Sequence, residues 1–176
     1  MKKSMLIPMF LISSIIVKAQ FTETYRAQMV KDWERAKTYT NAYIAVIPAD
    51  KYSFRANDSI RTIAQQLLHL AGGNFGLGSQ AVGVASPLPQ RNLEAAPGAQ
   101  SKDSVVYFVN ASYDFVIENL KKMPLSALEE KGKFFRFEEP RWIWINKTFE
   151  HQTHHRGQLT TYIRVLGIKP PQEMLF

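Results

Sequence analysis

His151-Gln152-Thr153-His154-His155-Arg156-Gly157-Gln158-Leu159 lies in the last third of the chain, and the rest of the sequence is best interpreted from it. Residues four positions apart on an α-helix lie on the same face one turn apart, so His151 and His155 point the same way. That face continues an apolar stripe, which predicts that the pair points inward. Two imidazoles buried together without a shared partner would be costly, whereas together they can bind one metal ion. The spacing alone leaves open whether they are ligands or core residues.

Two further histidines are candidates for the same site. His154 lies about 100° around the helix from the pair, so it is predicted to be a surface residue or an outer hydrogen-bond partner. His69 lies in an earlier helical segment, almost opposite that segment's apolar stripe. It is therefore either a solvent-facing residue or part of a cleft beneath residues 76–100. Three histidine ligands would leave a coordination position open, which is typical of catalytic rather than structural metal sites.

The sequence excludes two common kinds of metal chemistry. In the His-Glu-x-x-His zinc-protease motif the glutamate is the general base, but Gln152 occupies that position here and cannot take a proton. The chain has no cysteine, so no thiolate can bind metal or act as a nucleophile, and no disulfide stabilises the fold. Glu150 and Gln158 are the candidate hydrogen-bond partners of the ligands, and no catalytic base is identifiable.

The hydrophobic periodicity predicts four helices and no strands, which indicates an all-α four-helix bundle. The predicted helices span about residues 22–47, 59–74, 103–123 and 140–167. Asp58 or Ser59 is the expected N-cap of the second helix, and Gly72-Gly73 is expected to begin its end. Pro140 is expected in the first turn of the fourth helix and Gly167 at its C-terminal cap. Residues 76–100 and 124–138 are predicted to be connections.

The first nineteen residues predict a secretory signal peptide. Lys2 and Lys3 precede an apolar run from Met5 to Val17, and Val17-Lys18-Ala19 suits cleavage before Gln20. An uncleaved anchor is the alternative, but the run is too short to span a membrane comfortably. Residues 20–176 are then the mature domain, which is expected to be exported, periplasmic or secreted, and not bound to a membrane.

Charge and composition argue against nucleic acid as a partner. The 176-residue chain has a formal net charge of +7, which falls to +4 when the three lysines of the signal peptide are removed. The remaining basic residues form no dense block, and an exported protein would rarely meet DNA. With 45% hydrophobic residues, the chain is predicted to form a globular domain with its own core.

Two motifs resemble those of the DinB/YfiT-like superfamily. Ile63-Ala64-Gln65-Gln66-Leu67-Leu68-His69-Leu70 is similar to its second-helix motif, and the 151–159 stretch, followed by Leu166-Gly167 and Pro170-Pro171, is similar to its last-helix motif. The resemblance implies a four-helix bundle in which one divalent metal ion is held by His69, His151 and His155. It also implies that homodimers are common.

The resemblance leaves three hypotheses for the activity. The first is a metal-dependent hydrolase of unknown substrate, in which the ion, Zn²⁺ first and Ni, Co, Mn or Fe otherwise, lowers the pKa of a bound water to roughly 7. Trp144 and Tyr162 would wall its pocket. The second is a non-catalytic metal- or ligand-binding bundle. The third is a metal-activated thiol-dependent transferase, which an oxidising compartment disfavours because little reduced thiol is present there.

Overall fold

The computed structural model describes residues 6–88 and 92–176, with side chains from residue 23 onward. Within this part, the chain forms a bundle of four α-helices, which confirms the predicted fold class. The helices are α1 (Leu6–Val46), α2 (Ile63–Val82), α3 (Lys102–Lys122) and α4 (Arg141–Val165). Helix α2 packs against α3 and α4, and α1 packs against the same two helices from the other side.

The core of the bundle is built from the apolar stripes that the sequence predicted. In α1, Trp33 is buried and makes edge-on ring contacts with Tyr113 of α3 and Phe149 of α4, with centroid separations of 5.8 and 5.5 Å. Burial of aromatic surface of this size is a main source of stability in a small domain. These contacts join three helices, and α2 joins the core through Leu67, Leu68 and Leu70 on its buried side.

The predicted signal peptide remains a prediction. Residues 1–5 and all side chains up to residue 22 lie outside the described part of the chain, while the backbone is helical from Leu6. The described residues contain no helix that combines the length and the apolar character needed to cross a membrane.

Helix α2 begins later and ends later than predicted. Its N-cap is Thr62, not Asp58 or Ser59: Thr62 Oγ1 accepts from Gln65 N–H (3.2 Å), and Gln65 Oε1 accepts from Thr62 N–H (3.0 Å). This reciprocal pair is a capping box. The helix also continues through Gly72-Gly73 to Val82, and Gly83 caps it with φ +68°. The predicted 76–100 connection therefore shortens to residues 83–101.

Thr62→Ala is expected to lower the free energy of unfolding by about 1 kcal/mol, because one N–H of the first turn loses its acceptor. Asp58→Ala is the matched control. Asp58 is exposed, and among the described residues its ion pair is with Arg55 (3.3 Å), so its loss should change stability by less than about 0.5 kcal/mol. Urea unfolding of both variants measures the difference, and equal losses would contradict the assignment of Thr62 as the cap.

Residues 124–140 contain a β-hairpin that the sequence analysis did not predict. Strands β1 (Lys131–Phe134) and β2 (Phe137–Pro140) pair antiparallel, joined by a two-residue turn in which Phe135 has φ +53°. The Trp144 indole N–H donates to Gly132 O (2.9 Å). A Cβ on Gly132 would lie 2.9 Å from the Gln80 carbonyl oxygen, so only glycine lets the hairpin approach α2 this closely.

Helix α4 follows directly on the hairpin. Pro140 is its N-cap rather than its first helical residue, because Pro140 still pairs in β2. At the other end, Gly167 has φ +74°, with Gly167 N–H donating to Arg164 O and Ile168 N–H donating to Ile163 O, both at 3.0 Å. These two bonds form a Schellman motif, which confirms Gly167 as the terminating glycine.

Candidate metal centre

The packing of α2 against α4 brings three of the four histidines together. His69 from α2 meets His151 and His155 from α4, and the three offer ligand atoms that all lie within 4.8 Å of one another. The ring centroid of His69 lies 4.4 Å from that of His155 and 5.2 Å from that of His151. His155 is buried and the other two are half-buried. The structure therefore places all three predicted ligands in one cluster.

His69 is not the solvent-facing residue that its position on the helical wheel suggested. Its Nδ1 lies 2.5 Å from Glu94 Oε1, in the connection between α2 and α3. Glu94 Oε2 in turn accepts a hydrogen bond from Arg61 Nε (2.6 Å). The connection thus covers the face of α2 that carries His69. Of the two predictions for His69, the one that placed it in a cleft is correct.

The Glu94 carboxylate is held in its charged form. Burial on its own would raise the pKa of this carboxyl, but hydrogen bonds from Arg61 and His69 outweigh burial and hold the pKa below its ordinary value. A carboxylate that accepts the Nδ1 proton of an imidazole fixes the tautomer and the orientation of the ring, leaving Nε2 as the free nitrogen. Glu94 therefore orients His69 toward the other two histidines.

His155 has a partner of a different kind. Its Nδ1 lies 2.8 Å from the carboxamide nitrogen of Gln66, which also donates to the carboxamide of Gln158. Gln158 then contacts the Nε2 of His154 at 2.8 Å. His154 is exposed and lies outside the three-histidine cluster, as predicted. It contacts the His155 ring edge-on, with centroids 4.8 Å apart, and is also linked to His155 through the two glutamine side chains. Of the two predicted outer partners, Gln158 is connected to the site, whereas Glu150 pairs with Lys147 on the surface (2.8 Å).

A glycine of α2 makes room for the third ring. A Cβ built on Gly73 would lie 2.1 Å from Cε1 and 2.4 Å from Nδ1 of His151, distances that real atoms do not reach. The His151 ring therefore packs directly on the α2 backbone. Its Nδ1 is buried and has no hydrogen-bond partner among the described residues. Gly73, which the sequence analysis assigned to the end of the helix, instead sets the distance between the two helices at the site.

Two of the three rings are neutral at ordinary pH. Burial, followed by the neighbouring histidines, lowers the pKa of His151 to about 4 and that of His155 to about 3. A neutral imidazole has a lone pair to donate to a metal, and a protonated one has none. His151 and His155 therefore have the protonation state that metal binding requires.

These lowered pKa values predict how stability depends on pH. Between pH 6.5, the ordinary value, and about pH 4, the unfolded chain binds protons that folded His151 and His155 do not. The stability of metal-free protein should therefore fall as the pH decreases from about 6.5 to about 4. Urea unfolding with a chelator present tests this. His155→Gln should flatten the decline and His154→Ala should keep it. Identical pH profiles for wild type and His155→Gln would refute the prediction.

A cavity of about 650 Å³ opens beside His69 and His151. Its wall is mainly apolar, and Phe134 and Phe135 of the hairpin form one side of it, across from Leu77 of α2. The prediction that Trp144 and Tyr162 form walls of this cavity was wrong. Trp144 is buried under the hairpin and does not line this cavity, and Tyr162 lines a separate polar cavity, where its hydroxyl donates to Arg61 O (2.8 Å).

Gln152, which takes the place of the zinc-protease glutamate, is bonded to residues outside the cluster. It is fully buried, and its Oε1 accepts hydrogen bonds from the Tyr113 hydroxyl and from Arg156, both at 2.8 Å. The residue that replaces the zinc-protease glutamate therefore has a structural role between α3 and α4.

A comparison with protein families identifies the chain. The model of the DinB superfamily matches residues 32–159, which make up most of the sequence and include all three clustered histidines. The chain belongs to the DinB superfamily. The resemblance in the two helical motifs is thereby confirmed.

Solved structures of DinB-like proteins share the fold. A DinB-like protein from Bacillus cereus ATCC 10987 superimposes with a TM-score of 0.70 at 18% identity, covering 83% of this chain and 95% of that one. A DinB-like protein from Bacillus subtilis gives 0.64, also at 18% identity, with coverages of 85% and 96%. No curated protein matches this DinB superfamily member.

Proposed function

We propose that this DinB superfamily member is an exported metal-dependent hydrolase whose ion is held by His69, His151 and His155. The observation that carries the proposal is the convergence of three imidazoles from two helices, with ligand atoms within 4.8 Å of one another. Zn²⁺ is the proposed ion, since it is commonly bound by neutral imidazoles, and Ni, Co, Mn or Fe are the alternatives that this donor set also accepts.

The surroundings of the histidines fit a divalent ion. Glu94 accepts from His69 as carboxylates do behind metal-binding histidines. The Gln66 carboxamide nitrogen faces His155 Nδ1, so metal binding through Nε2 requires the carboxamides of Gln66 and Gln158 to turn over together. Gln66 Oε1 would then accept from both His155 Nδ1–H and the Gln158 carboxamide nitrogen, which leaves Nε2 of His155 free. The buried Nδ1 of His151 has no protein partner among the described residues. The cluster thus combines a carboxylate-bound His69 with two histidines whose burial keeps them neutral, in a site that is partly closed to water.

A divalent ion in such a site supplies Lewis acidity and lowers the pKa of a bound water to roughly 7. The chain's own contribution is to hold and orient, because none of the described groups at the cluster is a free base. Gln152 cannot take a proton, and the Glu94 carboxylate is engaged by Arg61 and His69. The apolar wall formed by Phe134 and Leu77 would exclude water and receive an apolar part of the substrate.

The cavity supports the hydrolase hypothesis over a non-catalytic binding bundle and over a thiol-dependent transferase. A purely structural centre would have a fourth protein ligand, but Glu94 binds the outer nitrogen of His69 and the cluster contains no carboxylate. A transferase acting on an anionic thiol would need an unpaired cationic residue near the metal. Among the described residues, no lysine or arginine lines the cavity beside His69 and His151, and Arg61, which lies 3.2 Å from His69 Nδ1, is paired with Glu94. The substrate proposed here is therefore neutral where it meets this wall.

The proposal is tested by metal analysis of the protein purified from its own compartment, followed by activity assays. We expect about one divalent ion per chain and hydrolysis of a neutral ester, lactone or amide with an apolar substituent. A chelator should abolish the activity and Zn²⁺ should restore it. Protein that contains no metal, or activity that survives the chelator, would refute the proposal.

The proposal that the protein is exported is based on the sequence of its first nineteen residues. The proposal that it forms a homodimer is based on the family resemblance. N-terminal sequencing of exported protein should find Gln20 as the first residue, since Val17-Lys18-Ala19 fits a signal-peptidase site. Sizing of the same sample measures the oligomeric state. An intact Met1 on membrane-bound protein would contradict cleavage.

A further inference from the structure

We propose that this protein has a second binding site, for a small oxyanion such as a phosphate or carboxylate group. The site is a cavity of about 520 Å³ between α1, α4 and the C-terminal segment, with Arg156 as its buried anchor. It is lined by a face of α4 that includes Thr153, Thr160 and Arg164 and neither His151 nor His155. The proposal is therefore independent of the metal centre.

The first observation is a buried positive charge without a counter-charge. Arg156 is only 6% exposed, and it forms no ion pair with any of the described residues. Its guanidinium donates to Gln152 Oε1 at 2.8 Å and lies 4.7 Å from the Tyr39 ring. Its contacts to Ala36 O and Thr40 Oγ1 are long, at 3.5 Å each. A guanidinium stays charged in proteins, and neutral partners offset the cost of burying it only in part.

The second observation is the charge of the cavity that Arg156 lines. The cavity is also lined by Arg35 and Arg164, and the one carboxylate that lines it among the described residues is that of Glu173. Arg35 is partly neutralised by Asp32 (3.0 Å), but Arg164 and Glu173 form no ion pair within the described chain. Clustered guanidinium groups are the preferred protein partners of phosphate and carboxylate because they donate two parallel hydrogen bonds.

The third observation is a set of hydroxyl groups in the same cavity. Tyr43 and Thr160 hydroxyls lie 2.8 Å apart, and Tyr39 and Tyr43 hydroxyls lie 3.4 Å apart. Burial, with the neighbouring Tyr43, raises the pKa of Tyr39 to about 12, so its phenol stays protonated and can donate. The cavity therefore combines a buried cation, additional cations at its edge and neutral donors, within the size range of small-molecule sites.

The test is titration of the metal-loaded full chain with inorganic phosphate and with acetate at constant ionic strength, followed by calorimetry. We expect saturable binding. Arg164→Gln should weaken it roughly tenfold, as expected for the loss of one charge-assisted contact. Glu173→Gln should tighten binding, because it removes the carboxylate that opposes the anion. Arg164 and Glu173 are exposed, so neither change should unfold the protein.

Arg55→Gln is the matched control, because Arg55 is an exposed arginine outside this cavity. It should leave the affinity unchanged. Tighter binding of phosphate would assign a phosphoryl ligand, and tighter binding of acetate a carboxylate ligand. Phosphate bound at the metal centre would be insensitive to Arg164→Gln. The proposal would be overturned by any of three results: phosphate affinity that is insensitive to Arg164→Gln, equal effects of Arg55→Gln and Arg164→Gln, or a titration that does not saturate.

Discussion

Alanine substitution of His69, His151 or His155 is expected to abolish stoichiometric metal binding, whereas His154→Ala is expected to retain it. Each of the first three changes removes one of three bonds to the proposed ion, and no described carboxylate in the cluster can replace it. His154 contacts the His155 ring edge-on (centroids 4.8 Å apart) and is linked to it through Gln158 and Gln66, but it offers no ligand atom to the cluster. Its loss should therefore weaken affinity by at most roughly 10–100-fold, as for outer hydrogen-bond partners.

Metal content after dialysis and calorimetric titration with Zn²⁺ measure the four variants side by side. His154→Ala is the matched control because it removes an imidazole from the same helix and leaves the cluster intact. Retention of the ion by His69→Ala, together with its loss from His154→Ala, would show that the three-histidine assignment is wrong.

Gly73→Ala should be almost as damaging to metal binding as loss of His151 itself. The added methyl would lie 2.1 Å from His151 Cε1 and 3.0 Å from its Nε2, so the ring must leave its place. Gly72→Ala, one residue earlier in the same helix, meets no heavy atom within 4 Å. Alanine is the better helix former, and Gly72→Ala should raise the free energy of unfolding by about 0.5–1 kcal/mol with metal affinity unchanged.

Comparison of the two glycine variants separates the steric effect of a methyl group at residue 73 from the effect of alanine on helix stability. Both change helix propensity equally, so any difference in Zn²⁺ affinity comes from the contact with His151. Thermal unfolding and circular dichroism should show that both variants are folded. If Gly73→Ala binds Zn²⁺ as tightly as Gly72→Ala, the His151 ring is not confined by the α2 backbone.

The fold could be predicted from the sequence because helical periodicity and helix ends are local. The i, i+4 spacing correctly placed His151 and His155 together, and a glycine in the left-handed region identified the end of α4 at Gly167. The same local reasoning failed at Gly72-Gly73. A glycine pair ordinarily weakens a helix, but here close packing of α4 requires the small residue, and this requirement is not visible in α2 alone.

The surroundings of the site could not be predicted, because they depend on contacts between distant segments. Glu94 lies 25 residues after His69, and Gln66 lies 89 residues before His155. Both were present in the sequence, Gln66 even within a recognised motif, but neither has a spacing that indicates its partner. The hairpin was missed because its strands have only four residues each. Burial alternates along β1 but not along β2, so the hairpin lacks the regular alternation by which strands are recognised.

The contact between His69 and Glu94 has a consequence for the connection between α2 and α3. Glu94 belongs to this connection, and its carboxylate joins Arg61 to a proposed metal ligand. Any displacement of the connection would release His69 from its partner and weaken the ion's hold. By reciprocity, an ion that favours the oriented ring also favours the docked connection, and by the same free energy. A bound ion would thus stabilise the docked position of Glu94 on the bundle.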